Sequence, residues 1–123
     1  MSSSRNLHLV RFATDARSFA AGETVFSERE PGAVMYVVKE GEVDIRVRGK
    51  TVETVGPGGI IGEMALIDQQ PRSATAVART ACQLVPINEE RFQFLVQQTP
   101  YFALDVMRMV VQRLRKMDAE ALS

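Results

Sequence analysis

Hydrophobic and polar residues alternate with a period of two in two runs within a region of predicted strands and turns, which extends from Ser18 to about Ile87. Residues 35–40 follow this pattern with one apolar lapse, and residues 43–48 alternate valine or isoleucine with a charged residue. The tripeptide Arg48-Gly49-Lys50 then predicts a tight hairpin that leads back into a strand at 51–55. Because such alternation is typical of strands with one buried and one exposed face, we expect half-buried strands here.

Glycines divide this region into segments of about nine residues. Turns are predicted at Gly32, Gly41, Gly49 and the run 56–59. Short strands at that spacing indicate an antiparallel sandwich or barrel and not a parallel sheet. The predicted fold is therefore mainly β.

Several segments depart from the strand pattern and predict flanking helices. Residues 62–68 contain good helix formers, which indicates one or two helical turns inside the strand region. Asn88 is a suitable N-cap for a helix that opens with two acidic residues, and Thr99-Pro100 restarts a helix that runs to about residue 121. Near the N-terminus, Asp15-Ala16-Arg17 is predicted to close a short helix.

The last predicted helix carries two apolar stripes. The first has the alternating four- and three-residue spacing of a coiled-coil seam and consists of Ala103, Met107, Val110, Leu114, Met117 and Ala121. It either covers the strands, or the mouth of a binding site, of its own chain, or it pairs with a second copy in a homodimer. The second stripe, Phe102, Val106 and Met109, is expected to face the strands.

Length, charge and cysteine content limit the class of protein. The 123 residues suffice for a single domain with a buried core, which we assign to residues 1–123. Fifteen basic and fifteen acidic residues are interspersed, which argues against a DNA-binding surface. The one local basic group, Arg113, Arg115 and Lys116, is interpreted as a solvated helix face. Cys82 lies in an apolar run and is expected to be a small buried residue in a reducing compartment.

The sequence contains no stretch as long as a membrane span and no signal-peptide hydrophobic region at the N-terminus. We therefore expect a cytoplasmic protein without a membrane partner. The single histidine, His8, excludes a histidine-based metal site and a Ser/His/Asp or Cys/His catalytic set. Residues 56–62 lack the third glycine of a dinucleotide fingerprint. We therefore predict a non-enzyme that needs no metal or cofactor.

Two neighbouring segments contain the groups that could hold a small anion carrying a hydroxyl group. Gly62 and the next residues place backbone amides at a predicted helix start, where negative charge is favoured. Arg72 offers a forked donor for phosphate oxygens. Glu63 has only acceptors when ionised, so it suits a hydroxyl and not a phosphate.

These segments, Gly62-Glu63 and Pro71-Arg72-Ser73-Ala74, resemble the phosphate-binding cassette of the cyclic-nucleotide-binding domain superfamily. That family includes catabolite activator protein and the regulatory subunits of cAMP-dependent kinase. The patterns at 19–26, 30–32 and 35–45 agree, so the resemblance covers roughly residues 18–120. It implies an eight-stranded antiparallel β-roll of jelly-roll topology, interrupted by a short cassette helix and followed by C-terminal helices.

The resemblance also implies the ligand and its contacts. The phosphate would lie on Arg72 and the cassette amides, and the ribose 2′-hydroxyl would bond Glu63. Ser73 mildly favours cAMP over cGMP. The implied ligand-binding residues are Gly62, Glu63, Met64, Ala65, Arg72, Ser73 and Ala74.

The sequence departs from the family pattern in the last helix. The positions of the base-contacting hydroxyls in the bacterial activator fall on Met117 and Asp118, which lack hydroxyl groups. We therefore expect an apolar lid over the base, formed by Val110, Leu114 and Met117. Two functions stay open: a sensor of cAMP, with cGMP as the other ligand, or a protein-interaction module that has lost nucleotide binding. The sensor would signal by repacking its C-terminal helices.

Overall fold

The computed structural model describes the backbone of residues 2–122 and the side chains of residues 6–117. Eight short strands occupy the middle of the chain, with helices before, within and after them. In chain order the elements are α1 (Ser2–Val10), β1 (Arg17–Phe19), β2 (Thr24–Phe26), β3 (Met35–Glu40), β4 (Val43–Val47), β5 (Lys50–Val55), β6 (Ile60–Ile61), α2 (Glu63–Asp68), β7 (Thr75–Ala78), β8 (Cys82–Ile87), α3 (Glu89–Gln98) and α4 (Pro100–Leu122). The predicted antiparallel β-roll with a cassette helix and C-terminal helices is confirmed.

The strands form two antiparallel sheets of four, in the orders β1-β8-β3-β6 and β2-β7-β4-β5. Their inner faces enclose the inter-sheet cluster Phe26, Tyr36, Val38, Val43, Val55, Ile61, Ala76, Ala78, Cys82 and Leu84. The hairpin between β4 and β5 turns at Arg48 and Gly49, which both have positive φ angles of 54° and 79°. Such φ values are those of the primed turns that match strand twist in two-residue hairpins.

Strand β3 is buried on both faces, so the expected half-buried strand is wrong at this point. Met35, Tyr36, Val37 and Val38 are all at most 7% exposed. Tyr36 and Val38 belong to the inter-sheet cluster, while the alternate residues face the helices. This helix-side cluster consists of Val10, Met35, Val37, Ile60, Leu66, Val85, Ile87, Phe102 and Val106.

The N-terminal helix ends earlier than predicted. Helix α1 stops at Val10, and Arg17 begins strand β1 opposite Leu84. Asp15 lies between them and accepts a hydrogen bond from Arg91 at 2.7 Å. Of the three residues predicted to close the helix, Arg17 is therefore in the strand ladder with β8, while Asp15 and Ala16 lie in the connection between α1 and β1.

Both predicted C-terminal helix starts are present. The side chain of Asn88 caps α3 by accepting a bond from the Arg91 amide at 2.8 Å. Helix α4 begins at Pro100, and the amide of Phe102 donates to the carbonyl of Thr99 at 2.9 Å. Phe102 and Val106 are fully buried against the sheet, and Met109 packs beside them. The second stripe thus faces the strands as expected.

The described residues of the predicted seam do not share one environment. Met107 and Leu114 are 57% and 48% exposed, Val110 packs against the helix-side cluster, and the side chain of Ala121 lies outside the described residues. The apolar residues that share the solvent side of α4 form the exposed stripe Leu104, Met107, Val111 and Leu114. Their spacing of three, four and three residues is still that of a helix-pairing surface.

Candidate functional site

The candidate site lies where the cassette helix α2 begins. Gly62 precedes the helix in a left-handed conformation, with φ 76° and ψ 14°. A Cβ atom there would lie 2.6 Å from Nη1 of Arg72 and 3.2 Å from Cε2 of Phe26. Glycine is therefore needed both for the backbone conformation and for the close approach of the arginine.

Arg72 is a buried cation without a paired carboxylate. Its residue is 6% exposed, and its guanidinium lies 4.1 Å from the centre of the Phe26 ring. Nη1 donates to the carbonyl of Gly62 at 3.2 Å, while the buried Nε has no partner. None of the ion pairs found among the described residues includes Arg72.

Burial lowers the pKa of Arg72, and the nearby Tyr36, Glu30 and Glu63 offset part of that effect. The lowered pKa indicates that the charged guanidinium of Arg72 is poorly solvated in this site. Buried charges are ordinarily paired. An unpaired guanidinium with an unsatisfied N–H is thus suited to receive an anion from outside the chain.

The backbone around Arg72 is fixed by the segment before β3. The Arg72 amide donates to the backbone carbonyl of Glu30 at 2.9 Å, and the Arg29 amide donates to the Arg72 carbonyl at 2.8 Å. Gly32 in the same segment is a contact that the sequence analysis missed. A Cβ atom on Gly32 would lie within 2.7 Å of Nε, Cζ and Nη2 of Arg72. Gly32 therefore leaves the space that the guanidinium occupies.

Glu63 lies in the first turn of α2 and is 3% exposed. Its Oε1 accepts a hydrogen bond from Nη1 of Arg113 in helix α4. A carboxylate has about four acceptor sites on two oxygens, so a bond to one arginine leaves room for a ligand hydroxyl.

Arg113 joins three elements to helix α4. Besides Glu63, it bonds the Glu53 carboxylate on β5 at 2.9 and 3.2 Å and the carbonyl of Ile60 at 2.7 Å. Burial by itself lowers the pKa of Arg113, but the charges and hydrogen bonds of Glu63 and Glu53 outweigh it and raise the pKa overall. The interpretation of this residue as part of a solvated helix face is therefore wrong, although Arg115 and Lys116 are exposed.

A signal for Arg113 was present in the sequence. The buried stripe Phe102, Val106 and Met109 continues at helical spacing to Arg113, so the arginine falls on the inward face of α4. Because its sequence neighbours Arg115 and Lys116 are basic, the local composition indicated a solvated helix face instead.

One cavity joins these groups, with about 400 Å³ of empty space counting its open mouth. Its lining contains all seven residues predicted for the ligand, together with Phe26, Ile45, Arg113 and Met117. Of the three lid residues, Met117 lines the cavity, while Val110 packs on the helix-side cluster and Leu114 is exposed. The side chain of Asp118 lies outside the described residues. The lining thus combines the charged side chains of Arg72 and Glu63 with the apolar side chains of Ile45 and Met117.

Ser73 and Met64 form one edge of the cavity. The Ser73 hydroxyl lies 3.6 Å from the Met64 sulfur and is exposed. A sulfur is a weak acceptor, so this hydroxyl is available to a stronger one. In the part of the chain that the structure describes, His, Cys, Asp and Glu side chains form no group of three that could hold a metal ion. The described helices also include none that is long and apolar enough to cross a membrane.

The fold and the cavity together define a small-ligand-binding β-roll. The sequence model of the family described as cyclic nucleotide-binding domain matches residues 16–99. The chain belongs to this family, whose domain is regulatory and binds a ligand.

Two curated relatives and one solved structure illustrate the similarity. The cyclic AMP receptor protein of Thermus thermophilus is 30% identical over 109 residues, which are 85% of this chain and 50% of that protein. A cyclic nucleotide-gated potassium channel of Mesorhizobium japonicum is 38% identical over 91 residues, which are 74% of this chain and 25% of the channel. The crystal structure of Thermus thermophilus catabolite activator protein superposes with a TM-score of 0.77 at 30% identity, covering 95% of this chain and 57% of that one. The chain thus spans half or less of the curated relatives it matches.

Proposed function

We propose that this domain is a sensor that binds a cyclic nucleotide, with cAMP as the preferred ligand. The observation that carries the proposal is the buried, unpaired guanidinium of Arg72 beside the Glu63 carboxylate in one cavity. A cyclic phosphate brings one negative charge to the cation, and a ribose hydroxyl brings a proton donor to the carboxylate. The name of the Thermus receptor supports cAMP as the ligand.

The apolar side chains that line the cavity would contact the purine. Ile45 and Met117 offer burial and dispersion contacts but no hydrogen bond to the base edge. We therefore expect cAMP and cGMP to differ in affinity by only about one to two decades, because an apolar surface penalises an added or missing polar group weakly. Ser73 is the polar group placed to tilt this preference.

Signalling would pass from the ligand to α4 through Glu63. The same carboxylate bonds Arg113 of α4 and would bond the ribose, so the ligand and the docked helix stabilise one shared arrangement. Ligand binding would then shift the population toward the docked position of α4. The domain acts in this proposal by binding and not by catalysis.

We further propose that the exposed stripe on α4 pairs with the same stripe of a second copy. Its four residues, Leu104, Met107, Val111 and Leu114, are 45–57% exposed and follow helix-pairing spacing. A homodimer would bring the two α4 helices together. Ligand-driven docking of each α4 on its own domain would then change the packing of the two helices at the dimer interface.

Calorimetric titration of the protein with cAMP and with cGMP tests the proposed function. We expect saturable binding of both, with cAMP the tighter. Hydrogen exchange over residues 100–117 should slow at saturating ligand. Absence of heat and of any exchange change with either nucleotide would instead favour an interaction module on this fold.

A further inference from the structure

Helix α4 is fastened to strand β5 as well as to the cassette. Glu53 on β5 binds the Arg113 guanidinium through both carboxylate oxygens, at 2.9 and 3.2 Å. One turn further along α4, Lys116 donates to the carbonyl of Val52. These two contacts place β5, an edge strand outside the cassette, beside the only charged bridge between α4 and Glu63 found among the described residues.

The local structure of β5 presents both groups to the helix. Glu53 pairs with Ile45 in the β4–β5 register, and Ile45 lines the cavity, so Glu53 lies on the inward side of the sheet edge. The register then shifts from Glu53 to Thr51, which leaves Val52 unpaired as a bulge. The bulge frees the Val52 carbonyl for Lys116.

The donor geometry of Arg113 shows what Glu53 contributes. A guanidinium has five N–H donors in one plane. Four are used here, on Glu53 twice, on Ile60 and on Glu63. The two-oxygen grip of Glu53 fixes the orientation of that plane and leaves Nη1 directed at Glu63.

The charge of Glu53 would by itself work against an anionic ligand. Two arginines and two glutamates lie at or beside the cavity, namely Arg72, Arg113, Glu63 and Glu53. Removing the Glu53 charge therefore makes the site more positive. Simple charge attraction then predicts tighter binding of a phosphate when Glu53 is neutralised. A role in orienting Arg113 predicts weaker binding, so the sign of the effect separates the two.

We propose that Glu53 is a positioning residue for nucleotide binding: it holds Arg113 so that Arg113 orients Glu63 toward the ribose hydroxyl and keeps α4 over the cavity. This inference rests on the proposed function, since it assigns Glu63 to the ribose. Glu53 touches no predicted ligand atom and acts through Arg113.

The test is Glu53→Gln, which keeps the size of the side chain and replaces one accepting oxygen by an amide that repels the arginine N–H groups. We expect the affinity for cAMP to fall about tenfold, the size expected for the loss of one charged hydrogen bond. The loss should be much smaller for 2′-deoxy-cAMP, which has no hydroxyl for Glu63. Glu53→Asp, which keeps the charge at a shorter reach, should recover part of the affinity.

Glu28→Gln is the matched control, because this half-buried carboxylate accepts from the Arg48 amide at 3.1 Å, in a loop contact that does not involve α4. We expect its cAMP affinity to equal that of the wild type. Unchanged or tighter cAMP binding in Glu53→Gln would overturn the proposal. So would an equal loss for cAMP and 2′-deoxy-cAMP, since the effect would then not pass through Glu63.

Hydrogen exchange without ligand separates this inference from the proposed function. Residues 100–117 should exchange faster in Glu53→Gln than in the wild type or in Glu28→Gln. If the wild type binds neither nucleotide, the proposed function fails, and this comparison alone decides whether Glu53 positions Arg113 and α4. Identical exchange in the three proteins would refute that role.

Discussion

Replacement of Arg72 by leucine should separate ligand affinity from stability. Leucine removes the guanidinium that lies between Gly62, Gly32 and the Phe26 ring and leaves a shorter apolar side chain. This cation has no paired carboxylate among the described residues. Its main use in the proposed function is therefore the phosphate.

The expected loss of affinity is large. Removing one partner of a desolvated charge pair costs about 2–5 kcal/mol. At about 1.4 kcal/mol per decade this corresponds to roughly 1.5–3.5 decades in the Kd for cAMP. Only 6% of the Arg72 surface is exposed before the ligand binds. Ligand binding therefore costs little further desolvation of the cation, and most of the charge attraction appears as affinity.

Stability should change little or rise. Losing the bond to the Gly62 carbonyl and the contact with the Phe26 ring costs about 1–2 kcal/mol together. Release of an unpaired buried charge acts in the opposite direction by a similar or larger amount. We therefore expect the ligand-free Tm to stay within about 4 °C of the wild type or to increase.

Arg91→Leu is the matched control for this experiment. Arg91 bonds Asp15 at 2.7 Å and the carbonyl of Pro86 at 3.0 Å, away from the cavity lining. It should lower the Tm and leave the affinity unchanged. Calorimetric titration and thermal unfolding of both variants provide the measurements. A normally folded Arg72→Leu protein with wild-type affinity for cAMP would refute the assignment of the phosphate to Arg72.

Three further substitutions and one labelling experiment test separate parts of the site and fold. Glu63→Ala should abolish most of the preference for cAMP over 2′-deoxy-cAMP in titrations, and a mutant that keeps this preference would place Glu63 in a structural role. Gly32→Ala should weaken cAMP binding less than Arg72→Leu does, because its Cβ displaces the guanidinium without removing the charge; unchanged affinity would show that the arginine can move freely. Leu114→Glu should yield monomers that still bind ligand in sedimentation experiments, whereas a monomeric wild type would exclude pairing through α4. Burial raises the pKa of the Cys82 thiol, which also donates to the Glu42 carbonyl at 3.1 Å, so thiol reagents should modify it only after denaturant unfolds the protein, and rapid modification of the folded chain would contradict that placement.

Local sequence rules determined much of the fold because the signals depend on near neighbours. The hairpin between β4 and β5 turns where Gly49, which adopts positive φ readily, stands between two strand segments, although Arg48 takes a positive φ as well. Asn88 caps α3 with its own side chain, and Pro100 starts α4. The cassette residues line one cavity because they lie within thirteen residues of each other on a strand end, a short helix and the next strand start.

Tertiary structure decided what depends on distant partners. Strand β3 is buried on both faces because α1, α2 and α4 cover the side that local alternation left open. Gly32 belongs to the site only because the chain folds back beside Arg72, forty residues later. The stripes of α4 were visible in the sequence, but the surface that supports the helix decided which residues face solvent.

Arg113 shows the same division within a single residue. Its sequence context is a basic, solvated run, and its helical phase with Phe102 and Val106 was the only local sign of burial. Burial of the charged Arg113 guanidinium is compensated by the carboxylates and carbonyls that surround it. Here Glu53, Glu63 and Ile60 supply those acceptors from fifty or more residues away, and only the folded chain brings them together.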